Sequence, residues 1–383
     1  MQKGKLVIEN VAQIKRAEVN FGDLTILVGP QASGKSILLH LFKLAMDAGH
    51  INSVLKRNGM HWDKQLGKYL SLYLGEGMES AWNNQSKMVF RGRNVDIQTK
   101  MRAKRKKESS FFIPAQRVLT LRNGWPRPFT DYDSGDPYVV RHFSEMIRNL
   151  MEAGLGSGES SIFPQSGRFK KDLRQALSRG VFSGSELQLD KHGLQKRIIL
   201  QVEDSILPFM VWSAGQREFI PLLLGFYWLL PPSKVSKHKD LNWVIIEEPE
   251  TGLHPQAVSG VLLCIMELMD RGYKVVLSTH SPHILDFVWG LNMLQSFSGD
   301  SGLLLDMLDA PKTQTLSDMA KRVKSISAKV YYFEHSRKDV YTRDISRLDP
   351  AAENIQEGGW GGLVEFSGRV SDVVSRMVQE QET

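Results

Sequence analysis

The 383-residue chain is 42% hydrophobic and 24% charged, which is enough apolar content to bury a sizeable core and excludes a globally disordered chain. Its net charge of +7 is a mild excess that names no partner by itself. Its single cysteine, Cys264, excludes an internal disulfide framework and predicts a reducing, cytoplasmic setting. Met1–Lys5 leads straight into strand-like sequence, which predicts no signal peptide. The longest apolar run, Phe219–Leu230, has 12 residues. A membrane span needs roughly 20, so this run predicts a buried core helix and no membrane contact.

Leu6–Val11, Ala17–Phe21 and Leu24–Val28 read as strands, and Ile37–Met46 reads as a helix. Between the third strand and that helix lies Gly29-Pro30-Gln31-Ala32-Ser33-Gly34-Lys35-Ser36. A glycine-rich turn between a strand and a helix, spelling G-x-x-x-x-G-K-S, predicts a phosphate-binding loop. Its backbone N–H groups and the helix's positive end would cradle the β- and γ-phosphates of ATP. Lys35 adds a fixed cation, and the Ser36 hydroxyl is the expected Mg²⁺ ligand. Gly29 and Gly34 are needed where a Cβ would obstruct the backbone.

Residues 47–110 are polar, with expected helices and one strongly basic run, Lys100–Lys107, which has six basic residues in eight. Such a run could contact nucleic-acid phosphates, and a solvated surface explains it equally well. Phe111–Pro114 reads as a short strand, 120–137 as a surface loop and Val139–Glu152 as a helix. Residues 154–161 read as a flexible connection. Trp125–Phe129 suits a docking loop or a packed loop tip.

Val211–Glu218 opens the Phe219 helix, and Ser213, Gly215 and Gln216 there could meet an anion. A plain helix cap at Ser213 fits as well. Trp243–Ile246 is an apolar strand running into Glu247-Glu248-Pro249-Glu250. Carboxylates at such a strand end, beside a phosphate loop, hold Mg²⁺ and activate water. Glu247 is assigned to the metal and Glu248 to the attacking water as general base. A further strand, Lys274–Ser278, delivers His280, placed to donate a hydrogen bond to the γ-phosphate. Lys329–Phe333 is a short β-like patch, and a C-terminal helix is expected from about Val370.

The order of these pieces resembles the ABC-type ATPase heads of the SMC and RecF group. It is still more similar to the OLD-like AAA family ATPases of bacteria, whose members often serve in anti-phage systems. The phrases Ile246–Pro255, Phe112–Arg117 and Ser278–Pro282 carry that resemblance. It implies an α/β fold: an ABC-type P-loop NTPase head with a mostly helical insertion. The core would comprise 1–46 and 185–296, the insertion 47–184 (with the 111–117 strand and loop), and the C-terminal extension 297–383. It further implies that Gln116 senses Mg²⁺ and the γ-phosphate, and that Ser213 and Gly215 meet the γ-phosphate of an opposite subunit. Leu253-His254-Pro255 would cross the dimer interface. Ala214 departs from the glycine of many ABC signatures. Glu247 replaces their usual aspartate.

Members of that group often carry a Toprim nuclease. Val330–Glu334 ends in a carboxylate, but no Asp-x-Asp pair follows on a second apolar strand, as a metal-dependent nuclease requires. The expectation is therefore an ATP- and Mg²⁺-dependent ATPase, closing as an ATP-sandwich dimer or larger homo-oligomer. It would control a separate effector protein, in phage defence. The alternatives are a repair ATPase that clamps DNA, with Lys100–Lys107 as its contact, and a nucleotide-gated scaffold that does not hydrolyse.

Overall fold

The computed structural model describes residues 4–383 apart from 105, 134, 156–159, 166, 191–195, 232–236, 350–351, 353–357, 364–367, 372, 376 and 378–383. In chain order the elements begin Lys5–Val11 (β1), Ile14–Asn20 (β2), Leu24–Val28 (β3), Lys35–Arg57 (α1), Leu66–Leu74 (α2), Trp82–Phe90 (β4), Arg93–Asn94 (β5), Ile97–Lys100 (α3) and Ser110–Ile113 (β6). They continue through Leu121–Arg122 (β7), Trp125–Pro126 (β8), Tyr138–Glu152 (α4), Ser161–Phe163 (β9), Lys171–Leu177 (α5), Glu186–Asp190 (β10), Arg197–Val202 (β11) and Ser205–Pro208 (β12). Then follow Ala214–Leu229 (α6), Trp243–Glu247 (β13), Pro255–Asp270 (α7), Lys274–Ser278 (β14), Pro282–Ser296 (α8), Leu303–Met307 (α9), Gln314–Val323 (α10), Ala328–Ser336 (β15) and Asp339–Asp344 (β16).

One large sheet organises the chain, in the order β5-β4-β1-β2-β16-β15-β3-β14-β13-β6. The half from β15 to β6 is parallel, and β1, β2 and β4 pair antiparallel on the other side. Strands β3 and β13 are buried at every position, as parallel strands covered on both faces must be. Their residues alternate between two cores. Leu24, Ile26, Val28, Val244 and Ile246 pack with α6, α7, α8 and α10, while Leu27, Trp243 and Ile245 pack with α1 and α2.

The phosphate-loop helix runs to Arg57, past the expected end at Met46, and bends at Asp47 (φ −118°, ψ 16°). Asp47 is buried and its carboxylate accepts from the N–H and hydroxyl groups of Ser109 and Ser110. Within the expected insertion, helices α2, α3, α4 and α5 accompany β4, which extends the main sheet beside β1. A separate sheet, β12-β11-β10-β9, was not anticipated from sequence. Pro126 and Phe129 are buried, so 125–129 is a packed loop tip. The C-terminal β-like patch becomes β15, inserted beside β3, and β16 returns antiparallel to it. The expected C-terminal helix is helical at 368–371 and 373–375, and part of that expectation lies outside the described residues, as do Gly156–Glu159 of the flexible connection.

Candidate functional site

Because β3, β14, β13 and β6 are parallel, their C-terminal ends share one edge. In register, Leu27 lies beside Ser278, Ser278 beside Glu247, and Ile246 beside Ile113. The phosphate loop, His280, Glu247–Glu248 and Gln116 therefore leave neighbouring strands at one place, where open α/β sheets bind ligands.

The phosphate loop needs its glycines. Gly29 (φ 145°) and Gly34 (φ 91°) take conformations L side chains resist, and a Cβ on Gly29 would sit 2.8 Å from the carbonyl oxygen of Phe333. The loop is braced from outside, because the Gln13 amide donates to the Ala32 carbonyl (2.8 Å). Pro30, Gln31, Ala32 and Ser36 are exposed, whereas Ser33, Gly34 and Lys35 are buried. The Ser33 hydroxyl donates to the Pro30 carbonyl (2.8 Å). The Lys35 ammonium donates to the carbonyls of Gly29 (2.7 Å) and Pro30 (2.8 Å). Burial pushes Lys35 down to about 8, against the opposing pull of Glu248, Glu250 and Glu247.

Three carboxylates differ in their roles. Glu247 is buried, and burial raises its pKa against the opposing pull of the nearby Ser36 hydroxyl and the Ala115 N–H. Ala115 N–H donates to Oε2 (3.2 Å), and Oε1 has no hydrogen-bond partner. A buried carboxylate oxygen without a donor, next to the Ser36 hydroxyl, fits the oxygen-rich coordination of Mg²⁺. Glu248 sits at positive φ (44°), with its carboxylate near Thr251 Oγ1 (3.3 Å) and His280 Nε2 (3.7 Å). It is partly exposed and stands beside His280. Glu250 is a brace. Its Oε1 accepts from the Thr279 hydroxyl (2.8 Å) and the His280 N–H (2.6 Å), which fixes the His280 loop to the β13 end. Burial, then the Lys35 charge, lowers the pKa of His280, which favours the neutral ring.

Arg117 was visible in sequence only as part of a phrase. It is fully buried, and its guanidinium donates to the carbonyls of Glu218 (3.0 Å), Glu247 (3.1 Å) and Glu248 (3.0 Å). One side chain therefore ties the β6 loop, the acidic strand end and the start of α6 together. Nothing in an isolated Arg signals this, since the three acceptors are backbone atoms.

Gln116 is exposed at the β6 exit. Ser213 is exposed and caps α6: its hydroxyl accepts from the Gln216 N–H (3.2 Å), and the Gln216 side chain accepts from the Ser213 N–H (3.0 Å). The helix-cap reading of this segment is thus realised. None of the described hydrogen bonds joins Ser213, Gly215 or Gln216 to residues 29–36. Gly215 instead packs on the turn after the acidic strand, where a Cβ would lie 2.6 Å from the Gly252 carbonyl oxygen.

Phosphate loop, acidic strand end and histidine strand end on one parallel sheet define a P-loop nucleotide-binding protein. Residues 186–286 match the family described as "AAA domain, putative AbiEii toxin, Type IV TA system". Over 103 residues the chain is 30% identical to the Old nuclease of Escherichia phage P2, covering 27% of this chain and 18% of that one. The chain thus matches under a fifth of that relative's length. Among solved structures, it is similar to an SMC head bound to the C-winged helix domain of ScpA (10% identity, TM-score 0.43, covering 89% and 96% of the two chains). It is also similar to the SMC head domain from Thermotoga maritima (12% identity, TM-score 0.35, covering 90% and 99%). The chain is thus similar to that AAA-domain family over residues 186–286 and to the Old nuclease over 103 residues, on a mixed α/β fold built around one large sheet.

Of the remaining expectations, the basic run lies along α1. Asn52 donates to the carbonyls of Lys100 (2.9 Å) and Ala103 (3.1 Å), and the Lys100 ammonium donates to Ala45 (2.7 Å). Arg102, Lys104, Lys106 and Lys107 are exposed, and Arg105 lies outside the described residues. Glu334 on β15 pairs with Arg343 of β16 (3.0 Å), within the main sheet. Cys264 is buried on α7, and burial pushes its thiol far up, so it is inert. Among the described residues no helix is long and apolar enough to cross a membrane.

Proposed function

We propose that the protein binds ATP with Mg²⁺ at the 29–36 loop and hydrolyses it, and that closure of two copies around the nucleotide controls a separate effector, in phage defence. The observation that carries the reading is the juxtaposition of Lys35, Ser36, Glu247, Glu248 and His280 at one sheet edge. Ser36 and Glu247, with Gln116, are the residues that would hold the metal. When bound, the metal neutralises charge on the phosphates and orients them. Lys35 exchanges its two loop carbonyls for phosphate oxygens. Glu248 takes the proton of the attacking water, and the His280 ring hydrogen-bonds the γ-phosphate and reports its loss.

Sharing of the site between copies is supported by the signature segment. Ser213 is exposed, and among the described residues its side chain bonds within its own helix start. Close to it, Ile206 (61%), Met210 (69%) and Val211 (61%) are unusually exposed for apolar side chains, a surface that a second copy would cover. The test uses Glu248→Gln, alone and combined with Ser213→Arg. With ATP the single variant should form a stable dimer by light scattering, and the double variant should stay monomeric while still binding ATP. A double variant that dimerises equally well contradicts the shared site.

A DNA-clamping reading keeps one specific support, the exposed Lys104, Lys106 and Lys107 on a backbone pinned to α1. Neutralising these three lysines should flatten the log–log salt dependence of duplex binding by about 0.9 per lost phosphate contact. A parent protein with no duplex affinity removes this reading.

A further inference from the structure

A second cluster of chemistry lies in the same core as the phosphate-loop helix, and the nucleotide reading does not use it. Lys43 of α1 is fully buried and donates to Asp47 (3.0 Å), Glu108 (2.5 Å) and the Ser110 carbonyl (2.5 Å). Two imidazoles also flank Glu108. His142 of α4 places Nε2 3.0 Å from Glu108 Oε1, and His50 of α1 places Nε2 3.8 Å from Glu108 Oε2. One ligand atom from each of the three residues lies within 4.8 Å of the others. The His50 Nε2 atom is buried without a hydrogen-bond partner.

Charge counting makes the cluster unusual. With both histidines neutral, one ammonium faces two carboxylates, leaving a net charge of about −1 in a buried place, which is costly unless compensated. Neutral imidazoles are the form that coordinates metals. Two imidazoles and a carboxylate suit a borderline divalent metal rather than Mg²⁺ or Ca²⁺. Ligand atoms on one tetrahedral zinc lie about 3.3 Å apart, so the cluster closes through a contraction of at most about 1.5 Å.

We propose that His50, Glu108 and His142 form a binding site for one divalent transition-metal ion, Zn²⁺ being the best match, pinning α1, the segment before β6 and α4 to one another. His50 and Glu108 also line a surface cleft with Lys106, Trp228, His238 and Asp240. The fourth coordination position is therefore open to water or to a small ligand from the cleft. Glu108 is two residues from β6, whose exit carries Gln116 and Arg117. The pin would thus hold the phosphate-loop helix and that strand in register. The proposal is independent of whether the protein hydrolyses ATP.

The test is metal uptake by the full chain, first stripped with chelator and kept free of nucleotide. Zn²⁺ should bind with one-to-one stoichiometry and raise the unfolding temperature. Co²⁺ should give the visible absorption of a four-coordinate site. His50→Gln should lower zinc affinity by at least about tenfold and abolish the cobalt spectrum, yet still bind ATP. Its side chain is 22% exposed and holds no hydrogen bond through Nε2, so this variant should fold. Lys35→Ala should leave both metal signals unchanged, which separates this site from the nucleotide's. Wild-type protein that takes up neither metal at micromolar concentration, or His50→Gln that binds zinc as tightly as wild type, overturns the proposal.

Discussion

Two buried lysines stand two turns apart on α1, and they are held in opposite ways. Lys35 donates to the backbone carbonyls of Gly29 and Pro30 and to the Ser33 hydroxyl (3.4 Å), all neutral oxygens, and burial pulls it down to about 8. Lys43 is more deeply buried, but Glu108 and Asp47 outweigh that burial and raise its pKa. The first cation is held by neutral oxygens that a phosphate can replace. The second is locked by carboxylates that nothing displaces cheaply. One helix therefore carries a displaceable charge at its start, the one proposed to meet phosphate, and a structural charge two turns on.

Substitution should separate the two most sharply. Lys35→Ala should abolish ATP binding, measured by nucleotide titration, because the phosphates lose their fixed cation. Its apo form should unfold close to the wild-type temperature. Lys43→Ala should do the reverse. It leaves two buried carboxylates uncompensated, so denaturant unfolding should show a loss of about 3–5 kcal/mol. Equal stability losses in the two variants would erase the distinction.

Arg117→Ala should fall between them. Three backbone carbonyls and the nearby Glu218 carboxylate (3.7 Å) lose their donor. A cost of about 1.5–3 kcal/mol is expected from charged hydrogen bonds, together with slower ATP turnover from a displaced Glu248. Arg117→Lys should restore part of the stability and little of the turnover, since one ammonium cannot reach three carbonyls.

The smallest effect is a pH dependence. Lys35 has a depressed folded pKa of about 8 against an ordinary 10.5. Below pH 8 it is charged in both folded and unfolded chains, and its burial cost is fully present. Between 8 and 10.5 the unfolded chain holds the extra proton, so this group's contribution to stability rises with pH. ATP affinity should move the opposite way, weakening as pH climbs through 8. Lys35→Ala should remove the stability trend.

The motifs of the proposed nucleotide site were legible in sequence because each is a short run: residues 29–36, 246–250 and 278–282 suggest their chemistry without knowledge of neighbours. The supports were not. Arg117 acts on backbone atoms 101 to 131 residues away, and Glu250 acts on Thr279 and His280 across two strands. The His50–Glu108–His142 cluster draws single residues from three separate elements, and no spacing connects them. The fold was readable where strands are continuous apolar runs, as in β3 and β13. It was not readable for β4 and β9–β12, whose polar and short segments become strands only through their partners. Helix α1 outran its expected end because tertiary partners of Asp47 hold the bend that its sequence suggested as a boundary.

The central claim is that the sheet edge hydrolyses ATP with Glu248 as base. Single-turnover phosphate release, measured on wild type and Glu248→Gln loaded with the same amount of bound ATP, tests it most directly. The wild type should release phosphate, and the variant should bind ATP and release it about 10²–10⁴-fold more slowly. Equal release from the two proteins would contradict the assignment of the base, and no release from either would contradict hydrolysis itself.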